Sequence, residues 1–203
     1  ALGGELPEIC MDALKVCKAK GITVSCDLNY RGKLWTREMA GKVMGELMPY
    51  VNVCIANEED AKDVFGIEAR NTDINSGKLD KEGYVSVAQQ LKERFGFDYV
   101  AITLRGSISA SDNNWSGMLY DGEKAYFAKN YLIHIVDRVG GGDSFGGGLI
   151  HAMNKWPGDC QQAIEFAVAA SCLKQTIEAD FNLCSEKEVL TLAGGNASGR
   201  VQR

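Results

Sequence analysis

Short apolar runs alternate with helix-length amphipathic segments through the first hundred residues, and this alternation restricts the fold more than any other feature. Residues Ile22 to Cys26, Val51 to Ala56 and Asp98 to Leu104 have the length of strands rather than helices and are bounded by polar or turn residues. Between and before them lie helical patterns. Pro7 to Lys20 places Ile9, Ala13, Leu14 and Cys17 on one face, with Pro7 in the first turn and Gly21 as the stop. Thr36 is placed to cap a second helix through Met48, with Ala40, Val43, Met44 and Leu47 inward. Asn57 caps a brief helix that Gly66 ends, a polar loop lies near Asn71 to Gly77, and Lys81 to Phe95 forms a further helix. Strands and helices joined this tightly predict an α/β fold, a largely parallel sheet sandwiched by helices.

The pattern then changes. Trp115 to Tyr120 and Glu123 to Phe127 flank Asp121-Gly122, a hairpin signal. Tyr131 to Val136 reads as a strand, and Asp143 to Lys155, Asp159 to Gln175 and Ser185 to Leu192 read as helices. Gly194 to Arg203 reads as a surface tail. No internal repeat or low-complexity linker interrupts the chain. Its 203 residues, 45% hydrophobic, fit a single α/β domain over 1–203 with a sizeable core.

Charge and composition narrow the function. A net charge of −5 gives no basic surface for nucleic acid or an anionic membrane. No apolar run approaches the roughly 20 residues that span a bilayer. The start, Ala1-Leu2-Gly3-Gly4-Glu5, lacks the basic region of a signal peptide and reads as the middle of something longer. The seven cysteines form no C-x-x-C pair and sit mostly among apolar neighbours, so small buried hydrophobes in a reducing, cytoplasmic setting are expected. His134 and His151 have no partners at metal-ligand spacing.

The segment richest in chemistry is Asp137-Arg138-Val139-Gly140-Gly141-Gly142-Asp143-Ser144-Phe145, between a strand and a helix. Three glycines let backbone amides turn toward one point, and a helix N-terminus adds unpaired donors and partial positive charge. Together they suit a phosphate. The loop lacks the Gly-Lys-Ser/Thr of a Walker A loop, and G-x-G-x-x-G fails at Phe145. The plain alternative is a helix capped by Asp143, with glycines for close packing. Asp143 shifts the balance, because a carboxylate beside an anion hole can take the proton of an attacking hydroxyl. Phosphoryl transfer needs positioning, charge stabilisation and such a base.

The run D-R-V-G-G-G-D-S-F resembles the second signature, D-T-x-G-A-G-D-x-F, of the ribokinase-like (PfkB) carbohydrate kinases. The resemblance makes Asp143 the catalytic base and Gly140, Gly141 and Gly142 the anion hole. Arg138 replaces the usual Thr and Gly141 the usual Ala; neither change removes a catalytic group. Asp27-Leu28-Asn29-Tyr30-Arg31 is similar to the D-x-N-x-R segment of 2-keto-3-deoxygluconate kinases within that family. The likeness brings Asn29 and Arg31 to the nucleotide and Arg31 to the acid sugar. Without it, the segment reads as a surface turn with a solvated Arg. Asn57-Glu58-Glu59-Asp60 resembles the family's N-x-x-E motif, which implies magnesium near Asn57 and Asp60, although Asp60 stands where Glu is usual and a capped helix explains the run equally well. Thr103, Arg105 and Gly106 resemble the nucleotide-lining segment, against the alternative of an ordinary strand exit. Asp180-Phe181-Asn182-Leu183 and Gly199-Arg200-Val201-Gln202-Arg203 resemble the tail of the same kinases.

The resemblance covers essentially the whole chain but only the C-terminal portion of a family member, without the N-terminal sugar contacts and the lid. It implies transfer of the γ-phosphoryl group of ATP to 2-keto-3-deoxygluconate, giving the 6-phosphate. It further implies Mg2+ as cofactor, a monovalent cation such as K+ near Asp137, a homo-oligomer in the full-length protein, and little activity in the fragment. Other readings are a fructokinase- or ribokinase-type sugar kinase and a non-catalytic nucleotide-binding module. A dinucleotide-dependent oxidoreductase is disfavoured by the failed glycine fingerprint.

Overall fold

The computed structural model describes residues 1–69 and 81–195. The loop expected at Asn71 to Gly77, and the tail from residue 196 onward with its Gly199–Arg203 motif, lie outside the described residues. The chain divides into two compact units, residues 1–102 with 120–125, and residues 103–119 with 126–203. The strand order is β1 (Ser25–Asp27), β2 (Val53–Ala56), β3 (Tyr99–Ser107), β4 (Asp112–Tyr120), β5 (Ala125–Phe127), with β6 (Tyr131–His134) also on β4. The sheet is mixed. Cys26 stands opposite Cys54 and Cys54 opposite Val100 in parallel register, whereas β6 runs antiparallel to β4.

In the first unit, α1 (Leu6–Ala19), α2 (Arg37–Leu47), α3 (Glu58–Phe65) and α4 (Lys81–Phe95) alternate with β1, β2 and the start of β3. Thr36 caps α2 by accepting from the Met39 amide, and Asn57 caps α3 by accepting from the Asp60 amide. Gly66 ends α3 in the left-handed conformation. Ala40, Met44 and Leu47 are buried as the helical period requires, while Val43 is half-buried. Gly41 lets α2 approach α3, since a Cβ there would stand 2.7 Å from the Val64 carbonyl oxygen. The core includes Cys54, Ile55, Leu91, Phe97, Val100 and Ile102.

Three expectations need correction here. The first strand starts at Ser25, not Ile22, because Ile22 belongs to the helix stop. Its amide donates to the Cys17 carbonyl and that of left-handed Gly21 to Lys18, the paired bonds that close a helix C-terminus. The apolar face of α1 is not buried: Ile9 is 57% exposed, Ala13 is exposed, and Leu14 and Cys17 are half-buried. The cysteines are also less uniform than expected, with Cys54, Cys160 and Cys172 buried but Cys10 exposed.

In the second unit, β4 carries α5 (Gly141–Lys155) and α6 (Cys160–Lys174), and α7 (Glu186–Ala193) follows. Asp159 caps α6 through the Gln162 amide, and Ser185 and Glu188 form a reciprocal capping box on α7. Asp121 organises the β4–β5 turn by accepting from the amides of Glu123 and Lys124. α6 is buried along most of its length, at Ala163, Ile164 and Phe166 through Cys172. Gly148 lets α5 approach α6, because a Cβ there would stand 3.2 Å from the Ala167 Cα. Gly117 of β4 lies under both helices: a Cβ there would meet Val168 Cγ2 at 2.8 Å, Phe145 at 3.1 Å and Ile164 at 3.2 Å. Overpacking of that kind costs about 1–3 kcal/mol. Gly117→Ala should therefore lower the free energy of unfolding by that amount in urea titration, whereas Gly45→Ala, which meets nothing within 4 Å, should not destabilise the chain.

Candidate functional site

The glycine segment is built around one backbone conformation. Gly140 has φ of 80° and is the N-cap of α5. A Cβ at Gly140 would lie 2.0 Å from the Asp180 carbonyl oxygen, so both conformation and space require glycine. The Gly141 amide donates to the Arg138 carbonyl at 3.1 Å and the Ser144 amide to the Gly140 carbonyl at 2.9 Å. The first-turn amides of Gly142 and Asp143 lie between these two, at the end of the helix where amides have no intrahelical partner. Asp143 is exposed and is the third residue of α5, so it is not the cap that its sequence position also allowed. Asp143, Ser144, His151, Asp180, Phe181 and Glu186 help line a cleft of about 570 Å³. His151 and Lys155 both contact the Glu186 carboxylate, which holds its acid below the ordinary carboxylate range, chiefly through the Lys155 hydrogen bond.

The underside of this turn rests on a feature that sequence reading missed. Ser171, Lys174 and Gln175 are polar yet buried, and their i, i+3, i+4 spacing puts them on one face at the end of α6. Ser171 Oγ donates to the Gly141 carbonyl at 2.7 Å. The Gln175 carbonyl accepts from the amides of Val136 and Asp137. The available signal was a polar stripe inside an otherwise apolar helix, which marks buried groups with fixed partners. Asp137 is also held by backbone: its carboxylate accepts from the amides of Val139 and Ala179. Arg138, the departure from the usual Thr, donates to the Ala110 carbonyl.

β3 runs to Ser107, three residues beyond the expected Leu104, so Thr103, Arg105 and Gly106 lie within the strand rather than at its exit. The strand is extended by its tight turn into β4, where the amides of Ile108 and Ser109 both donate to the Asp112 carbonyl. Arg105 is exposed, and Thr103 and Gly106 are half-buried.

The other expected site residues lie in the first unit, where Asp60 fastens the chain at Tyr30, between Asn29 and Arg31. Asp60 is buried, and its Oδ1 accepts from the Tyr30 amide at 3.0 Å. Burial raises its pKa above the ordinary value, opposed by the Tyr30 and Asn57 hydrogen bonds and the Arg31 charge. Asn29 has a positive φ of 39°, and its amide donates to Asp27 Oδ1. Arg31 is exposed and donates to the Tyr30 carbonyl. Asn57 Oδ1 is occupied as the helix cap. Asn57 Oδ1 and Asp60 Oδ1 thus each already accept one backbone amide. Among the described residues, no group of three His, Cys, Asp or Glu is arranged to hold a metal ion.

Residues 1–181 match the family described as pfkB family carbohydrate kinase. The crystal structure of 2-dehydro-3-deoxygluconokinase from Thermotoga maritima is similar, with 50% identity and a TM-score of 0.85 over 95% of this chain and 56% of that one. A PfkB family carbohydrate kinase from Listeria grayi shares 31% identity and a TM-score of 0.79 over 93% of this chain and 55% of that one. The 2-dehydro-3-deoxygalactonokinase of Haloferax volcanii is 28% identical over 97% of this chain and 55% of its own length. The chain thus spans about half the length of these relatives.

The role of Asp60 as a clasp is testable through pH. A raised folded-state pKa means that Asp60 adds stability below about 3.8, and that this contribution is lost as pH rises through the folded value. Asp60→Asn keeps the acceptor for Tyr30 and removes the titration. At pH 7 it should cost less stability than Asp60→Ala, which strands the Tyr30 amide at about 1–3 kcal/mol. Chemical denaturation from pH 3 to pH 7 should show the wild type gaining on Asp60→Asn toward the acid end.

Proposed function

The chain belongs to the pfkB family of carbohydrate kinases, and from that premise we propose that it carries the nucleotide-binding and catalytic portion of an ATP-dependent kinase acting on 2-keto-3-deoxygluconate. The observation that carries the reading is the exposed carboxylate of Asp143 in the first turn of α5, beside the Gly142 amide and on the wall of the cleft. In the proposed reaction the terminal primary hydroxyl of the sugar attacks the γ-phosphorus of ATP. A new O–P bond forms, the bond from that phosphorus to the β–γ bridging oxygen breaks, and ADP leaves. Asp143 accepts the hydroxyl proton. The outward amides at the start of α5, with the positive end of the helix, stabilise the charge on the transferring group.

Arg31 is proposed to meet the sugar carboxylate and approach the nucleotide along with Asn29, and Thr103, Arg105 and Gly106 to line the nucleotide site. Magnesium would neutralise charge on the ATP phosphates and reach the protein through water, as it commonly keeps several waters. The names of the Thermotoga and Haloferax relatives support the class of acid sugar, and differ in the epimer. Loss of a charge-assisted pair to a carboxylate costs about 1.5–3 kcal/mol. In the whole protein, Arg31→Leu should lower kcat/KM for 2-keto-3-deoxygluconate and its galactonate epimer by about tenfold or more, and for a neutral ketose much less. Coupled-enzyme detection of ADP on the three sugars checks this; equal losses on acid and neutral sugars would remove Arg31 from the substrate site.

A further inference from the structure

Lys174 stands directly beneath the glycine segment. It is the last residue of α6 and its relative exposure is 0%. Its Nζ donates to the Asp137 carbonyl at 3.4 Å and to the Ile177 carbonyl at 3.3 Å. None of the ion pairs found among the described residues includes it. An ammonium group this deeply buried is unusual, since lysine is almost never fully buried without a partner, and the partners here are neutral backbone oxygens rather than a carboxylate. Backbone carbonyls that replace a hydration shell are also how proteins hold a bare monovalent cation.

The Asp137 carbonyl is therefore already engaged by a cation that is part of the chain. The same loop has three further anchors. Gln175, the next residue, accepts from the Val136 and Asp137 amides, Ser171 holds the Gly141 carbonyl, and the Asp180 carbonyl abuts Gly140. An exchangeable K+ sharing the Asp137 carbonyl would meet the Lys174 ammonium as a like charge. The residues present do not fit the monovalent ion that the sequence resemblance implied at this position.

We propose that Lys174 is a built-in cation: its ammonium gathers the Asp137 and Ile177 carbonyls, fixes the 137–140 and 175–180 segments, and holds the glycine turn in shape without an exchangeable monovalent ion. It is a positioning residue, acting through Asp137 and Gly140 on the start of α5. Its catalytic consequence rests on the kinase reading; the cation replacement itself does not.

The test compares thermal unfolding of the 203-residue protein in chloride salts of K+, NH4+, Na+ and choline at equal ionic strength. The wild-type midpoint should be the same in all four. Lys174→Ala opens a carbonyl-lined space and should lower the midpoint in Na+ or choline by on the order of 5–10 °C. K+ or NH4+ should restore at least half of that loss. A wild type stabilised selectively by K+, or a Lys174→Ala protein indifferent to the salt, overturns the proposal. If Lys174→Ala unfolds in every salt, Lys174→Met decides, because it fills the volume without the charge. A midpoint near wild type would assign Lys174 to packing alone and overturn the proposal, and a loss comparable to that of Ala supports it. In the whole protein, wild-type kcat should be equal in K+ and Na+, while Lys174→Ala should require K+ or NH4+. A wild type that turns over no sugar in any salt would refute the kinase reading and leave the thermal comparison intact.

Discussion

The left-handed Gly140, pressed against the Asp180 carbonyl, fixes where α5 begins. Any Cβ at that position would overlap the carbonyl, so only glycine admits this solution for the turn from the Asp137 loop into the helix. That solution places Gly141 against Arg138, gives Ser144 the first intrahelical bond, and leaves Asp143 in the first turn and exposed. The segment after α6 belongs to the same construction, since Gln175, Ala179 and Asp180 all bond or abut residues 136–140. The glycine segment is therefore shaped as much by the end of α6 as by its own residues. Glycine supplies permission for the conformation, and the partners below select it.

The first unit achieves local order by different means. A single buried carboxylate, Asp60, fastens the Tyr30 amide, and Asn57 holds the amide of Asp60. Burial works against the charge of Asp60 and hydrogen bonds support it, so its cost is offset by the loop it fixes. The Asp27–Arg31 segment thus keeps a defined path while Arg31 stays exposed. The same N-x-x-D residues that resemble a magnesium motif serve as cap and clasp.

Much of this was legible in the sequence because the signals were local. Thr36, Asn57, Asp159 and Ser185 act as caps, Gly66 ends a helix, and the helix over 81–95 has the expected bounds. Asp121-Gly122 marks the turn between β4 and β5. The misreadings arose where a longer-range partner overrode the local pattern. Ile22 looks like strand by composition but completes the stop of α1. The turn into β4 draws Arg105 and Gly106 into β3. Asp143 looks like a cap, yet the start of α5 is set upstream by a contact with a residue 40 positions away in sequence, Asp180. The polar stripe marks Lys174 as a buried group, but its partners give no local signal, because they are carbonyls that only the folded chain brings to it.

The central claim is that Asp143 is a proton acceptor rather than a structural residue. Because it is exposed and does not cap α5, its replacement by Asn should leave the fold intact. The deciding measurement is kcat for sugar phosphorylation by Asp143→Asn in the whole protein, read beside its thermal midpoint and Mg-ATP affinity. The account predicts an unchanged midpoint, retained nucleotide binding and a kcat lower by roughly 10²–10⁴-fold. A variant with near-wild-type kcat would contradict it.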